Sequence, residues 1–91
     1  MMPKEYHFGI YGPPEILTME VENLITDKAK EYNGEWYNSG TAFGDGVIER
    51  DICYFFTSNG DRKKFKKVMV DLFEKFGDKI VFSTWVEDEQ D

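Results

Sequence analysis

Gly34-Glu35-Trp36-Tyr37-Asn38-Ser39-Gly40-Thr41-Ala42-Phe43-Gly44, then Asp45-Gly46, then Val47-Ile48-Glu49-Arg50-Asp51-Ile52-Cys53-Tyr54-Phe55-Phe56-Thr57, is the stretch whose reading decides the fold. Two strand-like runs meet at Asp-Gly. That dipeptide marks a two-residue hairpin, because a type I′ turn needs positive φ at both central positions. The outgoing run has two possible inward faces. One carries Ile48, Arg50, Ile52, Tyr54 and Phe56; the other carries Val47, Glu49, Asp51, Cys53 and Phe55. The first is the expected core face, since it keeps two acids out of the interior, and it sets Arg50 near an edge. Gly40 and Gly44 weaken the incoming run and are the expected places for a bulge or a sharp coil.

A strand and a helix precede the hairpin. In residues 5–11, Tyr6, Phe8 and Ile10 alternate with His7, Gly9 and Tyr11, the period of a strand. Gly12-Pro13-Pro14 ends it. A helix is expected from about Pro14 to Tyr32, with Leu17, Val21, Leu24, Ile25 and Tyr32 on one stripe and Asn33-Gly34 as its stop. A helix and a strand follow the hairpin. Phe65, Val68, Met69, Leu72, Phe73 and Phe76 keep helical spacing, with Asp61 as the expected N-cap and Gly77 as the end. Ile80 to Glu87 alternates as a last strand, and the acidic tail 87–91 is expected to fray.

The order is β-α-β-β-α-β, which resembles the ferredoxin-like α+β sandwich. It implies a four-stranded antiparallel sheet, the first and third strands central, with both helices on one face. Ninety-one residues, 41% of them hydrophobic, suit a single domain over residues 1–91 that needs no disulfide or metal. Cys53 is the only cysteine and reads as a small buried hydrophobe. Met1-Met2-Pro3-Lys4-Glu5 lacks a signal-peptide pattern, and no apolar run is long enough to cross a membrane, so a soluble cytoplasmic protein is expected.

Three constellations are candidates for function. With Tyr6, Phe8, Ile10, Ile52, Tyr54 and Phe56 turned to the helices, the open face of the sheet displays His7, Tyr11, Cys53, Phe55, Val81 and Trp85. A half-open sheet normally turns polar residues to water, so such an aromatic face reads as an interaction surface for a second copy or another protein. The bland alternative is the opposite strand parity, or a face covered by the hairpin or the acidic tail.

The second candidate is Arg62, Lys63, Lys64, Lys66 and Lys67, five cations at a helix start that the dipole would rather fill with acids. They form an anion or nucleic-acid candidate, although a solvated face is the commoner explanation. The net charge of −7 disfavours nucleic acid, and the phosphate-loop pattern is absent. The third is the lone His7, expected to approach Asp51 or Cys53 across the sheet. One such pair is a thin basis for catalysis, and one His with one Cys gives no metal-ligand spacing.

The third-strand run Arg50 to Phe56 is faintly similar to the aromatic third-strand motif of RNA-recognition modules, but Asp51 stands where that motif has glycine. Acylphosphatase-like enzymes need an arginine in the loop after the first strand; here the loop is Gly12-Pro13-Pro14-Glu15. The expectation is a small acidic, non-catalytic interaction or regulatory module without metal or cofactor, either a homodimer or bound to another protein.

Overall fold

The computed structural model describes residues 4–88. β1 (Lys4–Gly12), α1 (Met19–Glu31), β2 (Gly34–Gly44), β3 (Val47–Phe56), α2 (Asn59–Phe73) and β4 (Val81–Asp88) follow in the expected order. The sheet is antiparallel with strand order β2-β3-β1-β4. Asp45 (φ 50°) and Gly46 (φ 77°) both have positive φ, as the Asp-Gly turn requires. The fold is the ferredoxin-like β-α-β-β-α-β sandwich.

The inward parity is the expected one. Phe8, Ile10, Ile52, Tyr54 and Phe56 are fully buried and pack with Leu17, Ile25, Phe65, Met69 and Phe73. Ile48 is the exception. β1 stops pairing with β3 at Gly12↔Arg50, so the last turn of the hairpin projects past the core and Ile48 stays exposed, as do Phe43 and Val47. The bulge falls at Tyr37, between Trp36 and Asn38, and not at Gly40 or Gly44.

α1 starts five residues later than periodicity suggests. Ile16 N–H and Leu17 N–H both donate to the Pro13 carbonyl, closing a turn, and the Thr18 hydroxyl then accepts from Val21 N–H as the true N-cap. Leu17 is a core residue from that turn, not from the helix. The buried line of α1 is Glu22, Ile25 and Ala29, whereas Leu24 is 46% exposed. The apolar stripe misplaced the inward face because an acid lies on it.

The N-cap of α2 is Ser58, which accepts from Asp61 N–H at 3.3 Å; Asp61 lies within the first turn. Phe65, Met69 and Phe73 are its buried line. The helix ends at Phe73 and continues as a 3-10 segment, Glu74–Lys79, broken where Gly77 takes a positive φ. At the C-terminal end Glu87 pairs with Glu5 and Asp88 with Lys4, so β4 incorporates the first two residues of the expected tail; 89–91 lie outside the described residues.

Candidate interaction face

Antiparallel partners share a face, so the register defines the open side of the sheet. β1 contributes Glu5, His7, Gly9 and Tyr11. β4 places Glu87, Trp85, Ser83 and Val81 opposite them. β3 contributes Phe55, Cys53, Asp51 and Glu49, with Glu35, Asn38, Gly40 and Ala42 of β2 opposite. The bulge adds Tyr37 to this side. Among the described residues, no helix covers it.

His7 is the centre of the face and is not displayed, contrary to expectation: it is 0% exposed. Trp85 stacks on it with ring centroids 5.1 Å apart and planes 16° from parallel. Tyr37 meets it edge-on at 4.8 Å, and Phe55 lies at 5.8 Å. The three neighbours bury the imidazole and are left as the accessible aromatic surface. Tyr37 and Val81 are exposed; Trp85, Phe55 and Tyr11 are half-buried.

Nor does His7 reach Asp51 or Cys53. Its cross-strand partners are Phe55 and Trp85, because the β1–β3 register sets Cys53 opposite Gly9 and Asp51 opposite Tyr11. Its Nε2 points between two carboxylates, Glu5 Oε1 at 3.1 Å and Glu87 Oε2 at 2.9 Å. Glu87 also accepts from Trp85 Nε1–H at 3.2 Å. Nδ1 is buried without a partner among the described residues. Two carboxylates at Nε2 require a proton on that nitrogen.

Glu5, His7 and Glu87 have ligand atoms within 4.8 Å of one another and are the group among the described residues with donors spaced for a divalent ion. A ligating imidazole normally donates its second N–H to an acceptor. His7 Nδ1 has none among the described residues, so the trio is better satisfied as a hydrogen-bonded clasp joining β1 to β4.

Tyr11 lies back along the sheet: a Cβ on Gly9 would stand 2.7 Å from the Tyr11 hydroxyl. The missing side chain at Gly9 thus leaves room for the phenol on the side of Cys53, the cross-strand partner of Gly9. Burial pushes the Cys53 thiol pKa up, and the nearby Asp51 charge adds to the shift against the opposing Tyr11 hydrogen bond. Burial likewise raises the Tyr11 phenol, with Cys53 and Asp51 adding to it. A thiol held protonated is a poor nucleophile.

Of the five cations at the start of α2, Arg62 turns inward. Its guanidinium donates to the carbonyls of His7 (3.2 Å) and Trp85 (3.0 Å) and to Asn59 Oδ1 (3.1 Å), and lies over the Tyr6 ring. It therefore braces, from the helix side, the pair of residues whose rings stack on the open side. Lys63, Lys64, Lys66 and Lys67 are exposed.

Sequence reasoning missed a second polar group. Arg50 donates to the Leu17 carbonyl and pairs with Glu22, whose other oxygen accepts from Trp36 Nε1–H at 2.9 Å. Thr26 and the Tyr54 hydroxyl are 2.8 Å apart beside it. This network ties α1 to β2 and β3 and holds Trp36 on the helix side, which leaves Tyr37 for the open face. The only sequence signal was negative: an arginine set on an otherwise apolar strand face needs an acid.

No protein-family model and no curated protein matches the chain. Solved structures do, at identities that speak for the fold alone. One is a dimeric ferredoxin-like protein from an uncultured marine organism, with TM-score 0.62, 13% identity, and 96% of this chain and 95% of that one covered. Another is a putative PII-like signaling protein from Thermus thermophilus, with TM-score 0.58, 13% identity, and 97% and 88% covered. A third is a putative glycine cleavage system transcriptional repressor, with TM-score 0.60, 8% identity, and 97% of this chain over 48% of that one.

Proposed function

We propose that the chain is a small non-catalytic regulatory module that docks a protein through the open face of its sheet. The observation that carries this reading is the aromatic cluster of Tyr37, Phe55 and Trp85 around buried His7, extended by Tyr11 and Val81, on a face over which none of the described helices lies. Aromatic anchors on a rigid support are the usual energetic centre of a protein interface. The support here is the central strand β1, tied to the edge strand β4 by Arg62 and by the Glu5–His7–Glu87 clasp. On this face burial keeps the Cys53 thiol protonated, and the His7 Nε2 is engaged by Glu5 and Glu87. Signalling and repressor proteins among the similar structures suit a regulatory role.

The test compares wild type with Tyr37→Ala/Val81→Ser, which alters the two exposed members of this group and leaves the His7–Trp85 stack in place. Light scattering follows self-association, and capture from native lysate follows partners. An oligomer or a captured protein that is lost in the variant, with its circular dichroism unchanged, is the expected result. Identical masses and identical captured proteins for both chains would reject the reading.

A further inference from the structure

We propose that the element docked on this face is an arginine-bearing basic segment of another protein. The inference rests on the docking reading and specifies the chemistry of the partner. Five acids occupy strand positions on the open side: Glu5, Glu35, Glu49, Asp51 and Glu87. None of the chain's eleven lysines and arginines does. Lys4 and Arg50 are on the opposite parity of β1 and β3, Arg62 is bound beneath the sheet, and the rest are on α1, α2 or the 3-10 segment. The cations are thus confined to the helix side of the sheet, whereas the charged strand positions around the aromatic centre are all carboxylates.

Glu5 and Glu87 face each other directly across the β1–β4 ladder. Like charges in that position are destabilising, and His7 Nε2–H has one proton to offer the two of them. A cation arriving from solvent relieves that repulsion. A guanidinium suits the whole arrangement better than an ammonium. It stacks on aromatic rings such as Trp85 and Tyr37, and its planar fork of donors matches a carboxylate.

The same charges argue against a second copy as occupant. Face-to-face pairing would bring five acids against five with no base between them. Docking the α2 lysines of one copy onto the face of the next would be a heterologous contact, which closes into a ring or grows as a filament. Nucleic acid is repelled by the face and would have to bind the lysines on the helix side, where Lys63, Lys64, Lys66 and Lys67 are grouped.

The experiment titrates the full chain with fluorescent oligo-arginine, oligo-lysine and oligo-glutamate peptides of equal length, and with a single-stranded oligonucleotide. Two variants with the same net charge are compared: Glu35→Gln/Glu49→Gln on the face, and Asp27→Asn/Asp71→Asn on the helices. The inference expects oligo-arginine to bind more tightly than oligo-lysine, with salt-sensitive affinity, and oligo-glutamate not to bind. The face variant should lose about tenfold, as two exposed ion pairs of about 0.7 kcal/mol each would give, and the helix variant should change little. Chemical shifts should move at Tyr37, Phe55 and Trp85.

Equal losses in the two variants mean attraction to net charge and overturn the inference. So does oligonucleotide binding in the absence of peptide binding. A dimer abolished by Tyr37→Ala/Val81→Ser also overturns the basic partner while upholding the docking reading; indifference of every assembly and capture to that variant removes the docking reading itself.

Discussion

Replacing Arg50 by leucine should be among the most damaging single changes on the rim of this fold. The guanidinium pairs with Glu22 and caps the Leu17 carbonyl, and the two charged side chains are only 14% and 10% exposed. In Arg50→Leu the Glu22 carboxylate keeps a single strong donor, the Trp36 indole N–H. Removing one partner of a buried pair costs about 3–5 kcal/mol. Water reaches the edge of this one, so about 2–4 kcal/mol is the expectation. A chain of 91 residues loses about 0.2 kcal/mol of stability per degree near its midpoint, so Tm should fall by about 10–20 °C. Urea and thermal unfolding followed by circular dichroism measure this. The double variant Glu22→Met/Arg50→Leu should recover most of the loss, because apolar replacement of a whole buried pair is often neutral or better. A cost below about 0.5 kcal/mol for Arg50→Leu, or a double variant no more stable than Arg50→Leu alone, would refute the argument.

Three further changes probe the core and the sheet. Tyr54 is fully buried, and burial pushes its phenol pKa up to about 12, against a partial opposing effect of the Thr26 hydrogen bond. A raised pKa means that the folded state holds the proton more tightly. The resulting stability is complete below about pH 10 and is lost as pH rises from about 10 to 12, by about 2–3 kcal/mol at most. Unfolding free energies of Tyr54→Phe and wild type against pH should converge across that window; parallel curves would count against the shift. Gly34→Ala places a methyl on the Phe56 ring and should cost about 1–3 kcal/mol, whereas Gly44→Ala enters open space and should stay within about 0.5 kcal/mol of wild type, both read by urea midpoints.

Much of the fold was legible because it rests on local chemistry. Asp45-Gly46 specified the turn, and alternation along β1 and β3 specified which side of each strand is apolar. The start of α1 was not legible, since Pro13 and Thr18 act through a turn and a cap that periodicity does not register. Its inward face was misread because Glu22 is buried by virtue of Arg50, far along the chain on β3. At the candidate site, Tyr11, Phe55, Val81 and Trp85 are where alternation set them, while His7 is concealed by neighbours from β2, β3 and β4. Tyr37 went unnoticed because one bulge residue carries it to the open side.

By itself, then, the sequence determined the element order, the hairpin turn and the parity of the two central strands, all of which follow from side-chain period and backbone φ preference over a few residues. Only the tertiary structure decided what those faces are made of. Cross-strand register joined Glu5, His7 and Glu87 into a clasp, drew Arg62 out of the basic patch to brace the sheet, and left five acids with no base on the open side. These are long-range pairings, set by which strands lie side by side and by how one bulge shifts their alignment.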